Sequence, residues 1–199
     1  WEGTGTQTQI PHGLSAVPEM IISKRLDSTN NWSVYHKDLG LSHSTYPNWL
    51  YLNLTSAEQN SASSANHPYY ARPSATVIYQ NTGTSESTNV DGGDYISYCF
   101  HSVAGYSKFG TYNGDGSGSG QTITTGFQVD WILIRPSEVG SEWVMVDSVR
   151  GDAFVDASSS AAEVSNYDAF DFISTGFKTT GTGFNESGRK FIYWAIKIN

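Results

Sequence analysis

Eight acidic residues are the candidates for a pair of catalytic carboxylates: Glu86, Asp91, Asp94, Asp147, Asp152, Asp156, Asp168 and Asp171. A glycoside hydrolase holds two such groups roughly 5–10 Å apart across a cleft, where one donates a proton and the other acts as base or nucleophile. No spacing in the chain forces two of them together. Asp171 lies inside an apolar run, so we expect burial to perturb its pKa most. A structural aspartate remains the favoured interpretation, and we predict no catalytic residue.

Metal ligands and nucleophiles are also sparse. The histidines form none of the spacings typical of zinc sites: His12, His36, His43, His67 and His101. Cys99 and His101 would share one face of a strand, but no third residue is placed to orient them as a catalytic pair. Cys99 is the single cysteine, which excludes an intrachain disulfide, and its apolar surroundings predict a buried, inert thiol. The glycine-rich run 113–118 offers one carboxylate, too few for a typical calcium loop. We predict no metal and no cofactor.

Aromatic side chains are the strongest candidates for a contact surface: Tyr46, Trp49, Tyr51, Tyr69 and Tyr70. Aromatic rings beside Asn and Asp suit the faces and edges of sugars. They suit packing between subunits equally well. We favour subunit packing over glycan contact, and an internal core is the third interpretation.

Charge and composition exclude several classes of partner. The net charge is −8, only 15 % of residues are charged, and no cluster of Lys and Arg is present. Nucleic-acid binding needs several clustered cations, and an anionic membrane surface attracts the same pattern. No apolar run approaches the 18 residues of a membrane-spanning helix. We therefore predict no nucleic-acid partner and no membrane insertion.

The elements that must position these residues are short β-strands. Runs rich in β-branched and aromatic residues alternate with turn residues, as in an antiparallel sandwich. Helix is limited to two possible short turns, which begin with capping-box patterns at Thr55–Glu58 and Ser160–Glu163. Two polar or glycine-rich stretches, Asn60–Asn66 and Asn113–Gly120, are predicted to be loops.

The chain also repeats itself at a shift of about 95 to 113 residues. The matched segments are Trp1–Gly5 with Tyr112–Gly116, Thr8–Leu14 with Gln121–Phe127, Met20–Lys24 with Trp131–Arg135, Trp32–Tyr35 with Trp143–Val146, and Asn89–Tyr98 with Asn185–Trp194. This period is suited to a small β-domain. We predict an all-β fold of two tandem homologous antiparallel β-sandwich lobes of the jelly-roll or lectin-like type. The first would span residues 1–105 and the second residues 106–199.

Several of these segments resemble a phage domain of unknown function, found in tail-fibre-like virion proteins of marine and cyanobacterial phages. The run 98–116 resembles its "YCF..V.GYSKFG.Y.GNG" signature, and the run 125–135 resembles "TGF.P.FV.IKR". Residues 21–36 resemble "MIIVKRRD…NW.VYH", and residues 185–195 resemble "NASG..YIY.A". The chain departs from the pattern at Asp115, where Asn is more usual, and at Gln128-Val129, where Arg-Pro is more usual.

The resemblance implies a virion protein made in the host cytoplasm and exposed on the particle exterior, with no established catalytic residue. We expect a non-enzymatic structural module of a tail fibre, spike or related appendage that supports assembly and host-surface attachment. By family analogy it would form a homo-oligomer, a trimer, and contact other virion proteins and a host surface glycan. A lectin-like glycan-binding adhesin is the alternative, and a polysaccharide depolymerase ranks last.

Overall fold

The computed structural model describes residues 1–42, 45–60, 67–83, 88–151, 153–165, 167, 169–180 and 183–198. Within these ranges it contains sixteen β-strands and no helix, and every paired strand is antiparallel. The prediction of an all-β fold built from antiparallel sheets is confirmed. In the described part of the chain no helix is long and apolar enough to cross a membrane.

The two short helical turns expected at Thr55–Glu58 and Ser160–Glu163 are absent, because both runs are irregular in the structure. A capping pattern satisfies the first N–H groups of a helix only where a helix follows, and the nucleation of a helical turn is unfavourable without tertiary packing. Neither run continues with the apolar repeat that would supply such packing.

Contacts divide the chain into two compact units, Trp1–His101 and Ser102–Asn199. The boundary expected between residues 105 and 106, and the descent of both units from one module, stay predictions.

The first unit contains the first eight strands: β1 (Thr8–Pro11), β2 (Met20–Arg25), β3 (Ser33–His36), β4 (Leu41–Ser42), β5 (Tyr46–Pro47), β6 (Leu50–Tyr51), β7 (Val77–Gln80) and β8 (Tyr95–Phe100). Its main sheet has the order β6-β3-β2-β8, and β1-β7 and β4-β5 form two smaller ribbons. Ile21 and Tyr35 from the main sheet pack against Ile78 from β7 and against Tyr69. This cluster forms a core between the main sheet and the β1-β7 ribbon.

The second unit contains the other eight strands: β9 (Ser107–Asn113), β10 (Gln121–Thr124), β11 (Trp131–Pro136), β12 (Val144–Asp147), β13 (Phe154–Asp156), β14 (Phe170–Ile173), β15 (Gly176–Thr179) and β16 (Lys190–Ile196). Its sheets have the orders β13-β12-β11-β16-β9 and β10-β15-β14. Ile132 and Phe191 from the first sheet pack with Ile123 and Phe177 from the second. The apolar core therefore lies between two sheets, as in a β-sandwich.

Strand order and register agree between the units. β2 lies between β3 and β8 in the first unit, as β11 lies between β12 and β16 in the second. Met20 pairs with His36, and its sequence counterpart Trp131 pairs with Asp147. β1 pairs antiparallel with β7 in the first unit, as its counterpart β10 pairs antiparallel with β15 in the second. The residues matched by the sequence repeat thus occupy matching places in the hydrogen-bond ladders.

The two matched tryptophans have matching backbone surroundings and different side-chain burial. The N–H of Trp32 donates to Asn53 Oδ1 at 2.9 Å, and the N–H of Trp143 donates to Ser158 Oγ at 3.4 Å. The Trp143 ring is buried against the guanidinium of Arg135, 5.3 Å from the ring centre, whereas Trp32 is half-buried. Burial lowers the pKa of Arg135 to about 10.

Candidate functional site

The glycine-rich run after β9 is held in place by a buried asparagine. Asn185 Oδ1 accepts from the N–H of Asp115 at 3.1 Å, and its amide donates to Asp115 Oδ1 at 2.7 Å and to the carbonyl of Ser117 at 3.1 Å. Donation from the backbone N–H of Ser117 and from Asn185 holds the pKa of Asp115 below its usual value. Asp115 is therefore engaged in a structural network, and within the described ranges no three His, Cys, Asp or Glu side chains gather as a metal site requires.

The first unit contains the same arrangement. Asn89 Oδ1 accepts from the N–H of Thr4 at 3.0 Å, and its amide donates to the carbonyl of Thr6 and, at 2.8 Å, to that of Asn81. We call each buried asparagine, with the groups it bonds, an asparagine clasp. Each clasp joins the segment before β1 or β10 to the loop before the last strand of the same unit, and so fixes the geometry of both.

Three of the five predicted aromatic contact residues come together in the first unit. Tyr46 and Trp49 both contact the ring of His67, with ring centres 5.2 and 5.0 Å away, and Trp49 contacts Tyr51 edge-on at 6.5 Å. Trp49 and His67 are buried, whereas Tyr46 and Tyr51 are half-buried. Only the two tyrosines of this cluster present surface to a partner.

The other two predicted contact residues lie elsewhere. Tyr69 is 1 % exposed, its hydroxyl lies 3.0 Å from Ser23 Oγ beneath the main sheet, and burial raises its pKa. Tyr69 is therefore an internal residue of the first unit and offers almost no surface to a partner. Tyr70 is half-buried and packs edge-on against Tyr79.

The burial of the candidate catalytic carboxylates differs from the expectation for Asp171. Asp171 is exposed, because β14 places Phe170 in the core and the next side chain outside, so the expected burial of Asp171 is wrong. The pKa of Asp156 is instead raised, by partial burial and then by the negative charge of Glu142. Asp91 and Asp94 are exposed. The remaining candidates Glu86, Asp152 and Asp168, the histidine His43 and most of the predicted loop 60–66 lie outside the described residues.

Cys99, for which the sequence predicts a buried and inert thiol, is half-buried on β8 beside the core of the first unit. Burial raises the pKa of its thiol to about 11. The thiolate is the reactive form, and the raised pKa lowers the thiolate fraction at neutral pH by about 100-fold. We expect iodoacetamide to label the native protein at least about tenfold more slowly than the same protein in concentrated guanidinium chloride. Because the pKa is raised, the native rate should keep rising with pH until about pH 11. A native rate that levels off near pH 9 would contradict this assignment, and the single cysteine makes the readout specific.

The second unit has a cleft of about 480 Å³ at one end of its larger sheet, and its lining residues are Gln128, Asp130, Trp131, Asp147, Ser148, Val149, Lys197 and Ile198. Trp131 begins β11, is half-buried, and touches Trp194 edge-on with ring centres 5.3 Å apart. Asp130 Oδ2 accepts from the N–H of Ile198 at 2.8 Å, and Oδ1 accepts from Ser148 Oγ at 3.4 Å. The cleft therefore combines an aromatic surface with a positioned carboxylate.

One wall of this cleft is a turn held by Asp147. Its Oδ1 accepts from the N–H groups of Val149 and Arg150, and its Oδ2 accepts from Arg150 Nε at 2.6 Å. Arg150 in turn donates to Glu163 at 2.7 Å. Partial burial raises the pKa of Asp147, but the bonds from Arg150 and Val149 outweigh burial and hold it below its usual value. Asp147 thus stays ionised and shapes the wall.

The residues of this cleft are not recognisable as a group in the sequence. Gln128, Trp131 and Lys197 belong to segments that are far apart in the chain, and Trp131 fits an apolar strand pattern. The available signal was the repeat itself, because Trp131 replaces Met20 at the matched position.

Comparison with known proteins identifies the family of the chain but no individual relative. No curated protein and no solved structure matches the chain. A family model described as a domain of unknown function, DUF7483, matches residues 1–198. Because this match covers nearly the whole chain, the protein belongs to the DUF7483 family.

Proposed function

We propose that the chain is a non-enzymatic structural module of a phage tail fibre, spike or related appendage, where it supports assembly and attachment to the host surface. The first support is the resemblance of residues 98–116 and 125–135 to tail-fibre-like virion sequences. In this proposal the protein is made in the host cytoplasm and displayed on the particle exterior.

The observation that carries the proposal is the duplication of the scaffold. Strand order, register and the asparagine clasp agree between Trp1–His101 and Ser102–Asn199. The matched residues include those that set turns and hold the clasps, whereas the candidate catalytic carboxylates are not matched. In this proposal the two units are copies of one β-sandwich module that holds shape and contacts neighbours.

Exposed apolar side chains support assembly into an oligomer. Leu26 is 61 % exposed and Tyr106 is 54 % exposed. Burial of such side chains between copies would remove apolar surface from water, which favours association. Tyr46 and Tyr51 are half-buried and remain candidates for the same kind of contact. By family analogy we propose a homotrimer that also contacts other virion proteins.

A depolymerase role has less support. Its mechanism needs one carboxyl to move a proton and a second to attack or activate water. In the cleft, both carboxylate oxygens of Asp147 accept hydrogen bonds, from the Arg150 side chain and from backbone N–H groups. This bonding suits a structural role.

Two measurements test the proposal. We expect light scattering to give the mass of a trimer for the purified chain, and antibodies raised against the chain to label an external appendage of purified phage particles. A monomer at high concentration would contradict the assembly role. Particles that carry the protein internally, or lack it, would contradict the virion role.

A further inference from the structure

We propose that the cleft around Trp131 is a binding subsite for a neutral pyranose residue of a polysaccharide. This inference rests on the attachment role proposed above, and it names the site and the class of ligand. No comparison with known proteins assigns a ligand to this part of the chain.

The aromatic surface of the cleft fits the apolar face of a sugar ring. Trp131 is half-buried, so part of its indole faces the cleft, and its contact with Trp194 restricts its orientation. A rigid indole supplies large contact area at low cost in conformational entropy. Val149 and Ile198 add exposed apolar surface at the rim.

The polar groups of the cleft fit hydroxyl groups. A carboxylate accepts about four hydrogen bonds, and Asp130 accepts two, from the N–H of Ile198 and from Ser148 Oγ. Its remaining lone pairs are available to two ligand hydroxyls. Gln128 is exposed and supplies an amide that both donates and accepts, and Lys197 supplies further donors. Few polar groups beside an apolar surface are typical of a small-molecule site.

The matched position in the first unit shows that the fold does not require this cleft. There Met20 replaces Trp131 and is 0 % exposed, and Glu19 replaces Asp130. Lys37 Nζ lies 3.5 Å from Glu19 and 3.5 Å from Asp38. Ion pairs and a buried methionine thus occupy the positions that line the cleft in the second unit.

The backbone hydrogen bonds at the cleft and at the matched position of the first unit agree, so the two positions differ in their side chains. The N–H of Lys37 donates to the carbonyl of Glu19 at 2.8 Å, and the N–H of Ser148 donates to the carbonyl of Asp130 at 2.9 Å. Because one scaffold accommodates either arrangement, its stability does not explain an open aromatic cleft. A binding role does.

Charge and size define the ligand class. The lining carries the carboxylates of Asp130 and Asp147 and the cation of Lys197, and Arg150 pairs with Asp147, so the charges at the cleft nearly balance. Such a cleft offers no net charge to offset the desolvation of an anionic uronic acid, whereas a neutral hexose or N-acetylhexosamine carries no such cost. A volume of about 480 Å³ lies within the range of small-molecule pockets and admits a short segment of a glycan. One such subsite binds weakly, and several copies on one particle would supply avidity.

The test uses the whole purified chain and an array of multivalent neutral hexose, N-acetylhexosamine and uronic-acid oligosaccharides. We expect binding to at least one neutral glycan, with a change in the NMR signal of the Trp131 indole N–H. Trp131→Met, which installs the residue of the first unit, should weaken that binding at least tenfold, and so should Asp130→Asn. Trp32→Met makes the same chemical change outside the cleft and should leave binding within twofold of the unmodified chain.

Thermal unfolding of each variant separates loss of binding from loss of folding, and the Trp131 indole signal of the unmodified chain reports on the site without any substitution. Three results would overturn the inference: no neutral glycan binds, binding leaves the Trp131 signal unchanged, or Trp131→Met binds as tightly as the unmodified chain. Particle labelling is independent of these results. Labelled appendages without glycan binding would refute the subsite alone, and glycan binding without labelling would refute the virion role alone.

Discussion

Replacing Asn185 with aspartate is expected to lower the free energy of unfolding by about 3–5 kcal/mol at neutral pH. The change keeps the size of the side chain and removes its two N–H donors. Asp115 Oδ1 and the carbonyl of Ser117 then lose their partner, and the new carboxylate lies against that of Asp115. Asn185 is fully buried, so the new carboxylate is desolvated, whereas water can still reach the exposed Asp115. Chemical denaturation monitored by fluorescence measures the loss.

The pH dependence of this variant gives a second readout. In the unmodified chain, hydrogen bonds lower the pKa of Asp115, so this group stabilises the folded state above its unfolded pKa and ceases to do so as pH falls through the lowered value. In Asn185→Asp the two carboxylates repel, which raises their pKa values in the folded state. The destabilisation should therefore be greatest above about pH 5 and shrink at lower pH, as one carboxyl binds a proton.

The first unit provides the matched control. Asn89→Asp also removes two donors, to the carbonyls of Thr6 and Asn81, but the side chain that Asn89 contacts at the position of Asp115 is the hydroxyl of Thr4. A hydroxyl can donate to the new carboxylate, so we expect a smaller loss with a weaker pH dependence. Equal losses with equal pH profiles in the two variants would show that Asp115 is not part of the clasp.

Strands with a continuous apolar or alternating pattern, such as β2, β11 and β16, are predictable from the sequence. β9 is not, because Gly110 and polar residues interrupt its pattern. A side chain at Gly110 would overlap the ring of Tyr193, so close packing dictates glycine there despite its low strand propensity. The two-residue strands β4 and β5 are too short to leave a periodic signal.

The candidate sites were predictable only in part, for a similar reason. The sequence identified Tyr46, Trp49 and Tyr51, which are close in the chain; Tyr46 and Trp49 contact His67, and Tyr51 contacts Trp49. The cleft of the second unit is formed by the start of β11, the turn after β12 and the end of β16, and sheet pairing brings these segments together. A pattern along the chain does not reveal such a site unless the pairing of the strands is known.

Replacing Gly114 with alanine should destabilise the second unit by about 3 kcal/mol or more. A Cβ at this position would overlap the carbonyl oxygen of Glu186 and lie 2.7 Å from the carbonyl carbon of Asn185. These atoms belong to the backbone, which two hydrogen bonds hold in place. The N–H of Gly114 donates to the carbonyl of Arg189 at 2.9 Å, and the N–H of Gly188 donates to the carbonyl of Gly114 at 2.8 Å. The chain can remove the overlap only by opening the clasp. Chemical denaturation measures the loss. Hydrogen exchange should also become faster at the backbone N–H of Asp115, which bonds to Asn185.

Gly118→Ala is the control in the same glycine-rich run. Nothing lies within 4 Å of a Cβ at Gly118, and this residue is exposed. Alanine there should change the free energy of unfolding by no more than about 0.5–1 kcal/mol, with a gain in stability from the stiffer unfolded chain. The sequence predicts one loop-like run over Asn113–Gly120, in which every glycine is equivalent. If Gly114→Ala were tolerated as well as Gly118→Ala, the run would be a plain linker and the clasp would not determine the shape of the unit. A large difference between two alanines four residues apart would instead show that one of these glycines is required by close packing of the backbone.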